Sequence, residues 1–317
     1  MDHGSRIFVA GHRGLVGSAI SRSLRRAGYS NLLERPRGVL DLCDQGAVKA
    51  FFRQERPEYV FMAAAKVGGI LANSTYPADF ILENLAVQNN VIDAAYRHGA
   101  AKLLFLGSSC IYPRMAPQPI KEEYLLTGPL EPTNEWYAIA KIAGIKLAQA
   151  YHQQYGFNAI SLMPTNLYGP GDNFDLKLSH VLPALLRKAH EAKVSHAPEL
   201  VVWGTGSPRR EFLHVDDLAD ACVFLMLHYN DPMIVNVGSG LDVTIRDLVD
   251  LVQRTTGYQG KVVFDAAKPD GTPRKLLDVS RINALGWKAR IPLEEGIAST
   301  YRWYLENQAA AAVAVAG

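Results

Sequence analysis

A phenol and an ammonium are spaced for proton transfer in the segment YAIAK, where Tyr137 precedes Lys141 by four residues. On a helix this spacing places both side chains on one face, about 6 Å apart along the axis. A free phenol has a pKa of about 10, and a neighbouring cation is expected to lower that pKa. Because such a pair often arises by chance, its meaning depends on the elements around it.

Hydroxyl and thiol side chains follow an apolar run upstream of that pair. Residues 103–107 (LLFLG) have the pattern of a buried strand and lead into Ser108 and, two residues later, Cys110. Residues at the carboxyl end of a parallel strand face the crevice where ligands bind. A serine there can hydrogen-bond the oxygen of a substrate carbonyl beside the phenol. Ser108, Tyr137 and Lys141 together therefore indicate a reductase site.

A glycine-rich turn near the start of the chain has the spacing GxxGxxG. It follows a short apolar strand pattern and opens an amphipathic segment. Glycines in such a turn let the backbone approach a pyrophosphate, which the N-terminus of the helix attracts. This position between a strand and a helix predicts dinucleotide binding. The predicted cofactor contacts in the turn are Gly11, His12, Arg13, Gly14, Leu15, Val16 and Gly17.

The residues after the second predicted strand bear on which dinucleotide binds. An acid there holds the ribose 2′-hydroxyl of NAD, whereas an arginine suits the 2′-phosphate of NADP. The segment offers one acid, Glu34, against two arginines, Arg35 and Arg37, and Arg13 lies in the glycine turn. Any one of these arginines could also be an ordinary solvated surface residue. The balance predicts NADPH/NADP⁺ as the cofactor.

Strand and helix patterns alternate along the first half of the chain. This order predicts an α/β fold of the Rossmann type, a doubly wound parallel sheet covered by helices on both faces. The predicted strands lie at 6–10, 59–65, 102–107, 158–163 and 233–237. The predicted helices lie at 78–98, 136–155, 181–193, 213–227 and 293–306.

The pattern changes after residue 164, and a loop rich in Gly, Pro and Asn at 168–175 is typical of a substrate loop. We therefore expect a smaller, discontinuous C-terminal substrate domain. The predicted cofactor domain is 1–166 plus about 211–240, the substrate domain is about 167–210 plus 241–308, and the Ala-rich tail at 309–317 is expected to be disordered.

Composition excludes several classes of partner. The 317 residues are 48% hydrophobic and 20% charged with a formal net charge of +2, so neither nucleic acid nor an anionic membrane is an expected partner. Cys43, Cys110 and Cys222 form neither a disulfide framework nor a zinc pattern, and no metal is predicted. No signal-peptide pattern opens the chain, and we expect a cytoplasmic enzyme.

Longer motifs narrow the interpretation. They are 63–69 (AAAKVGG), 106–113 (LGSSCIYP), 131–134 (EPTN), 163–170 (MPTNLYGP), 210–217 (REFLHVDD) and 268–275 (KPDGTPRK). With the glycine turn and the YxxxK pair, the chain resembles the extended short-chain dehydrogenase/reductase family over nearly all of 5–308. Within that family the motifs look like those of the epimerase–reductases that act on a GDP-linked 4-keto-6-deoxy sugar.

The resemblance implies conversion of GDP-4-keto-6-deoxy-D-mannose to GDP-L-fucose, by inversion at C3 and C5 and NADPH-dependent reduction at C4. It implies that Cys110 is the base and His180 the acid of the inversions. A thiol and an imidazole titrate near about 8.5 and 6.5, close enough to neutrality to exchange protons there. Ser108 and Tyr137 would hydrogen-bond the sugar oxygen, and Tyr137 would then protonate it.

The resemblance also implies contacts with the cofactor, the substrate and a second subunit. Besides the glycine turn, Arg35 and Arg37, the implied cofactor contacts are Ala63, Ala64, Leu106, Gly107, Tyr137, Lys141, Pro164, Thr165, Asn166, Leu167 and His180. The implied contacts with the GDP group are Lys188, Trp203, Arg210, Asp270 and Lys275, because cations can meet a diphosphate, an indole can stack and a carboxylate can accept from guanine. A homodimer through the helices at 78–98 and 136–155 is expected by analogy.

Two other interpretations remain open. Another nucleotide-sugar enzyme of the same fold, such as a UDP-hexose 4-epimerase or a 4,6-dehydratase, would share most of these features. A dehydratase needs a carboxylate pair beside the serine, where this chain has Ser109 and Cys110. A non-catalytic Rossmann subunit that binds NADPH would be expected to lose Tyr137 or Lys141, and both are present.

Overall fold

The structure is a computed structural model that describes residues 1–176, 179–268 and 270–316, with backbone alone at 70, 71 and 308–316. In the first half, helices and strands alternate as expected. The elements are β1 (Ile7–Ala10), α1 (Leu15–Arg26), β2 (Leu32–Leu33), α2 (Gln45–Glu55), β3 (Tyr59–Met62), α3 (Ile70–Thr75), α4 (Pro77–Arg97), β4 (Lys102–Leu106), α5 (Glu135–Tyr155) and β5 (Ala159–Pro164).

The second half has shorter elements. They are β6 (Asn166–Tyr168), α6 (Val181–Val194), β7 (Glu199–Trp203), β8 (Arg209–His214), α7 (Val215–His228), β9 (Val235–Val237), β10 (Asp242–Thr244), α8 (Ile245–Thr256), β11 (Lys261–Asp265), β12 (Arg274–Lys275), α9 (Ser280–Ala284) and α10 (Leu293–Ala316). No helix within the described ranges is both long and apolar enough to cross a bilayer.

A six-stranded parallel sheet with the order β2-β1-β3-β4-β5-β9 forms the centre of the molecule. Its strands are continuous apolar runs because both faces are covered. In β1, Phe8 points into the core formed with α2, α4 and α5, whereas Ile7 and Val9 point into the core formed with α1 and α7. The Rossmann-type, doubly wound α/β fold is thus confirmed.

A smaller region packs around β8, which pairs in parallel with β6 and β12 and antiparallel with β10. β7 and β11 form a separate parallel pair. A third core lies between α6, α8 and α10, where Leu186, Val252 and Ile297 are buried. The predicted domain boundaries remain a prediction, as does the disorder of the tail at 309–317, whose side chains fall outside the description.

The predicted start of α7 is wrong. The sequence predicts a helix from residue 213, but Leu213 and His214 are the last residues of β8, and α7 begins at Val215. Both residues pair with β6, opposite Leu167 and Tyr168. The apolar spacing continues across the junction because Leu213 and Val215 belong to the same core, so the pattern alone does not show where the strand ends.

Candidate active site

The glycine turn lies between β1 and α1, and two of its glycines are required by close approach of the backbone. Gly11 has a φ of 82°, and a Cβ there would lie 2.8 Å from the Ala64 backbone. A Cβ on Gly17 would lie 2.1 Å from the Gly11 carbonyl oxygen. These two glycines bring α1 close to the strands, as helix–sheet packing in a dinucleotide fold needs.

Gly14 has a different role, because a Cβ there would meet protein only at 3.5 Å, on the Gly11 oxygen. Gly14 is the N-cap of α1 and supplies no side-chain hydrogen bond to the first turn. The N–H groups at this helix end are therefore open to an anion, and no side chain at Gly14 blocks the approach. The turn fits the pyrophosphate of a dinucleotide.

The charged groups beyond β2 do not all remain free for a ribose. The Glu34 carboxylate pairs with Arg25 at 2.6 Å, so the acid suited to a 2′-hydroxyl is already engaged. Arg35 pairs with Glu55 of α2 at 3.0 Å. Arg37 is exposed, with only looser contacts at 3.5 Å and 3.9 Å to acids, and Arg13 is exposed in the glycine turn.

The Ser–Tyr–Lys group assembles at the carboxyl end of β4. Ser108 follows this strand, and its Oγ accepts a hydrogen bond from the Cys110 N–H at 3.2 Å. Tyr137 lies in the first turn of α5, and its phenol hydrogen-bonds with Ser108. The Lys141 ammonium lies 5.8 Å from the Tyr137 ring and donates to the Leu106 carbonyl at 2.7 Å. The predicted grouping of the three side chains is therefore present.

The protonation of this group differs from the sequence-based expectation. Burial raises the pKa of Tyr137, the nearby Cys110 adds to the rise, and only the hydrogen bond to Ser108 opposes it. Burial also lowers the pKa of Lys141, to about 7, so the charge that would lower the pKa of the phenol is itself disfavoured. Lys141 is 3% exposed, so its charge is costly in the absence of a bound anion.

Cys110 is half-buried in a 3₁₀ turn, Ser109–Ile111, and borders a small cavity rather than packed interior. Its Sγ accepts from the Asn134 amide at 3.3 Å and from the Lys275 ammonium at 3.5 Å. Lys275, which the resemblance implies as a contact of the GDP group, therefore contacts the thiol.

His180 is the N-cap residue of α6 and is exposed to solvent as a whole. Its imidazole nevertheless lies where protein displaces part of the surrounding water. This desolvation lowers the pKa of His180, and the charge of Lys275 lowers it further. Lys275 is thus near both proposed proton-transfer residues.

The side chains implied for GDP binding lie on the smaller region. Trp203 is 65% exposed at the end of β7, which rules out a core role. The Lys188 and Lys268 ammonium groups lie 5.6 Å and 5.4 Å from its ring. The Asp270 carboxylate accepts from the Thr205 N–H at 2.7 Å and its hydroxyl at 2.8 Å. Arg210 lies on β8, and its guanidinium interacts electrostatically with the Asp270 carboxylate.

The other implied cofactor contacts lie at the same edge of the six-stranded sheet. Ala63 and Ala64 follow β3, Leu106 ends β4 and Gly107 follows it, and Pro164, Thr165, Asn166 and Leu167 span the end of β5 and most of β6. The side chains of Thr165 and Asn166 both donate to the Glu211 carbonyl, at 3.3 Å and 2.8 Å. These two side chains therefore have a structural partner.

Sequence reasoning did not single out Asn134 or Lys268. Both belong to motifs that were noticed, EPTN and KPDGTPRK. The signal that could have found Asn134 is its position just before the helix that carries Tyr137. Lys268 had no local signal, because its neighbour Trp203 is distant in the sequence.

A Rossmann-type sheet with an open glycine turn and a Ser–Tyr–Lys group defines an NAD(P)-dependent reductase. The sequence model of the NAD dependent epimerase/dehydratase family matches residues 7–238. The chain therefore belongs to the NAD-dependent epimerase/dehydratase family.

Similar proteins cover almost the whole chain. GDP-L-fucose synthase 1 of Arabidopsis thaliana is 63% identical over 306 residues, 96% of this chain and 95% of that protein. GDP-L-fucose synthase of Escherichia coli (strain K12) is 58% identical over 312 residues, 96% and 97% of the two chains. A solved structure of a GDP-mannoheptose C4 reductase from Campylobacter jejuni, with NADP bound, has a TM-score of 0.90 at 40% identity. The match covers 96% of this chain and 99% of that chain.

Proposed function

We propose that this chain converts GDP-4-keto-6-deoxy-D-mannose to GDP-L-fucose, with NADPH as the reductant. The observation that carries the proposal is the meeting of a Ser–Tyr–Lys group with a half-buried, accessible thiol at one sheet edge. The reductase group accounts for chemistry at C4, and the thiol accounts for proton removal next to it. Relatives named GDP-L-fucose synthase, at 58% and 63% identity, support the substrate.

The C4 ketone of the sugar makes two inversions possible at one site. It acidifies the protons on C3 and C5, so the same carbonyl supports both steps. Cys110 removes each proton from one face of the ring, and His180 returns a proton from the other face. Ser108 and Tyr137 hydrogen-bond the C4 oxygen and stabilise the charge that develops on it in the enolate.

Reduction at C4 follows at the same oxygen. The glycine turn from Gly11 to Gly17 would hold NADPH, which would supply the hydride for C4. Tyr137 gives its proton to the C4 oxygen, and its raised pKa keeps the phenol protonated until that moment. Lys141 lies beside the phenol and stabilises the negative charge that remains after proton transfer.

The nucleotide half of the substrate binds on the smaller region. Trp203 offers an exposed indole for stacking, and Lys188 with Arg210 supplies positive charge for the diphosphate. Asp270 remains the proposed acceptor for guanine, since each carboxylate oxygen that Thr205 contacts has a second lone pair. Lys268 joins this group through its contact with Trp203.

The test is product analysis by NMR after incubation with GDP-4-keto-6-deoxy-D-mannose and NADPH, in parallel with loss of NADPH absorbance. We expect inverted C3 and C5, a reduced C4 and one NADPH consumed per sugar. A UDP-hexose with NAD⁺ serves as the matched substrate control, and its epimerisation would favour the rival enzyme class. Substrate binding without any loss of NADPH would contradict the proposal.

We also propose a cytoplasmic homodimer that packs through α4 and α5. Leu82 on α4 and Trp136 and Ile139 on α5 are exposed apolar side chains on these helices. Covering such side chains is a normal role of a subunit interface. Sedimentation of the wild-type chain and of Leu82→Arg tests this, and a wild-type monomer at micromolar concentration would contradict it.

A further inference from the structure

We propose that Lys275 and Asn134 hold the sulfur of Cys110 as a thiolate and so prepare it to act as a base. Lys275 is thereby a positioning residue of the inversion chemistry rather than a ligand of the diphosphate alone. The consequence for the sugar rests on the proposed function, whereas the state of the sulfur does not.

Two donors converge on one sulfur. The Asn134 Nδ2 lies 3.3 Å and the Lys275 Nζ 3.5 Å from the Cys110 Sγ. A neutral thiol is a weak acceptor, whereas a thiolate accepts strongly and carries a full charge for an ammonium to meet. A cation within about 4–6 Å favours the charged form of such a group. The contacts therefore match the ionised sulfur better than the neutral one.

The two donors are held by different parts of the fold. Asn134 ends the 3₁₀ turn Pro132–Asn134, directly before α5. Lys275 lies on β12, where it pairs with Arg210 of β8. The next backbone N–H groups donate to fixed acceptors, that of Leu276 to Gln118 at 2.8 Å and that of Leu277 to the buried Glu211 at 3.0 Å. The strand therefore sets the position of the ammonium.

The other charged groups near the sulfur are paired with opposite charges, so Lys275 is the cation that acts on the sulfur. The Tyr137 phenol faces the sulfur from α5. Glu131 pairs with Arg114 at 3.2 Å, and Arg274 pairs with Asp242, so the charges of these neighbours are largely compensated. Within the part of the chain that the structure describes, Lys275 has no carboxylate partner.

The position of Lys275 also links the two proton-transfer residues. Its charge lowers the pKa of His180, in addition to the effect of desolvation. The ammonium that contacts the sulfur therefore also acts on the imidazole, which must bind a proton before it can return one to the sugar ring.

The experiment measures the reactivity of Cys110 itself. The full chain with Cys43→Ser is alkylated by iodoacetamide over a range of pH, and mass spectrometry reads the rate at Cys110; Cys222 is fully buried. In Lys275→Met we expect the midpoint of the alkylation profile to rise by about one pH unit, with about tenfold slower alkylation near neutrality. Lys275→Arg restores the charge and most of the rate. Lys261→Met, an exposed lysine on β11, is the control and leaves the profile unchanged.

A second variant keeps the test informative if Lys275→Met fails to fold. Asn134→Asp is nearly isosteric and replaces the donor with a carboxylate, so the midpoint rises again. Unchanged alkylation profiles in Lys275→Met and Asn134→Asp, with a raised KM for the sugar alone, would overturn the inference in favour of a pure diphosphate role.

This readout separates the inference from the proposed function. Alkylation needs no sugar, so shifted profiles support the inference even if GDP-4-keto-6-deoxy-D-mannose is not turned over. If the sugar is turned over, Lys275→Met should lower kcat for deuterium exchange at C3 and C5 about tenfold at neutral pH. Deuterium exchange at the full wild-type rate in that variant would contradict the inference without contradicting the proposed function.

Discussion

At the scale of single residues, burial opposes ionisation in the Tyr–Lys pair, whereas two hydrogen-bond donors contact the thiol. Burial raises the pKa of Tyr137 and lowers that of Lys141 to about 7. A protonated phenol suits an acid that must give up its proton late. The thiol of Cys110 has instead an amide and an ammonium at hydrogen-bond distance, which suits a base. The environments of the two groups thus match opposite roles.

The first residue-scale prediction separates inversion from reduction. Cys110→Ser should bind NADPH normally but lose deuterium exchange at C3 and C5 by at least about a hundredfold, since a hydroxyl is a far weaker acid than a thiol. Tyr137→Phe should lose reduction by a similar factor and keep measurable exchange. NMR of the sugar in D₂O and NADPH absorbance report the two steps. Exchange at the full rate in Cys110→Ser would remove the thiol from the mechanism.

The second residue-scale prediction concerns the choice of cofactor. Arg37 is exposed beyond β2, while Glu34 and Arg35 are engaged by Arg25 and Glu55. Loss of a charge-assisted contact to a 2′-phosphate should raise the KM for NADPH about tenfold to a hundredfold in Arg37→Ser, with little change for NADH. Arg53→Ser, an exposed arginine on α2, is the control. An equal rise for both cofactors would contradict recognition of the 2′-phosphate.

At the scale of elements, the helices differ in whether a side chain of the protein caps the free backbone N–H groups at the N-terminus. α8 has a capping box, in which Thr244 and Asp247 satisfy each other's backbone N–H groups. α7 is capped by the His214 side chain, whose Nδ1 accepts from the Asp216 N–H at 3.2 Å. α1, by contrast, begins at Leu15, and its N-cap residue Gly14 provides no side-chain cap. α3, α4, α5 and α6 also lack a side-chain cap, so it is the position of the uncapped end of α1 at the glycine turn that favours anion binding there.

The element-scale prediction uses the histidine cap of α7. His214 is 3% exposed, and burial lowers its pKa, with Arg22 acting in the same direction and Asp216 and Asp217 against it. A folded-state pKa below the unfolded value of about 6.5 means that the unfolded chain binds more protons in that interval. The free energy of unfolding therefore falls as the pH drops below about 6.5.

His214→Asn keeps an N-cap acceptor and removes the titration. We expect the free energy of urea unfolding near pH 7.5 to stay within about 1 kcal/mol of the wild-type value. Below pH about 6.5, the loss of this free energy per pH unit should be smaller than in wild type by up to about 1.4 kcal/mol. His228→Asn, at the exposed end of α7, is the control. The same pH slope in His214→Asn and wild type would refute a titrating cap.

At the scale of the whole molecule, Glu211 joins the large sheet to the smaller region. It lies on β8 with 0% exposure, and its carboxylate accepts from the Gly240 N–H at 2.7 Å and the Leu277 N–H at 3.0 Å. Gly240 follows β9 of the large sheet, and Leu277 follows β12. Burial raises the pKa of Glu211, while these backbone donors favour its charged form. One carboxylate thus ties three chain segments together behind the site.

The whole-molecule prediction removes that carboxylate charge. Glu211→Gln turns one acceptor into an amide N–H₂ that faces backbone donors, so one buried group loses its partner. We expect the free energy of urea unfolding to fall by about 1–3 kcal/mol. Glu199→Gln, an exposed acid on β7, is the control and should change it by less than about 0.5 kcal/mol. Equal stability of both variants would show that the tie contributes little.

The sequence by itself determined the features that depend on local spacing. The glycine turn, the YxxxK pair and the serine after β4 were found because each lies within one turn or one strand–helix junction. The parallel Rossmann-type sheet followed from the order of apolar runs, since strands covered on both faces have no polar alternation. The start of α7 was wrong by two residues because Leu213 and Val215 share one core across the junction.

Only the tertiary structure decided which distant side chains meet. Cys110 and Lys275 are separated by 165 residues, and their contact depends on the pairing of β12 with β8. The ion pair of Arg35 with Glu55 depends on the packing of α2, and the role of Arg35 as a cofactor contact stays a prediction. Lys268 reaches Trp203 because β11 runs parallel to β7. Spacing along a chain fixes neighbours within a helix or strand, whereas contacts between elements depend on sheet order and packing, which local patterns do not encode.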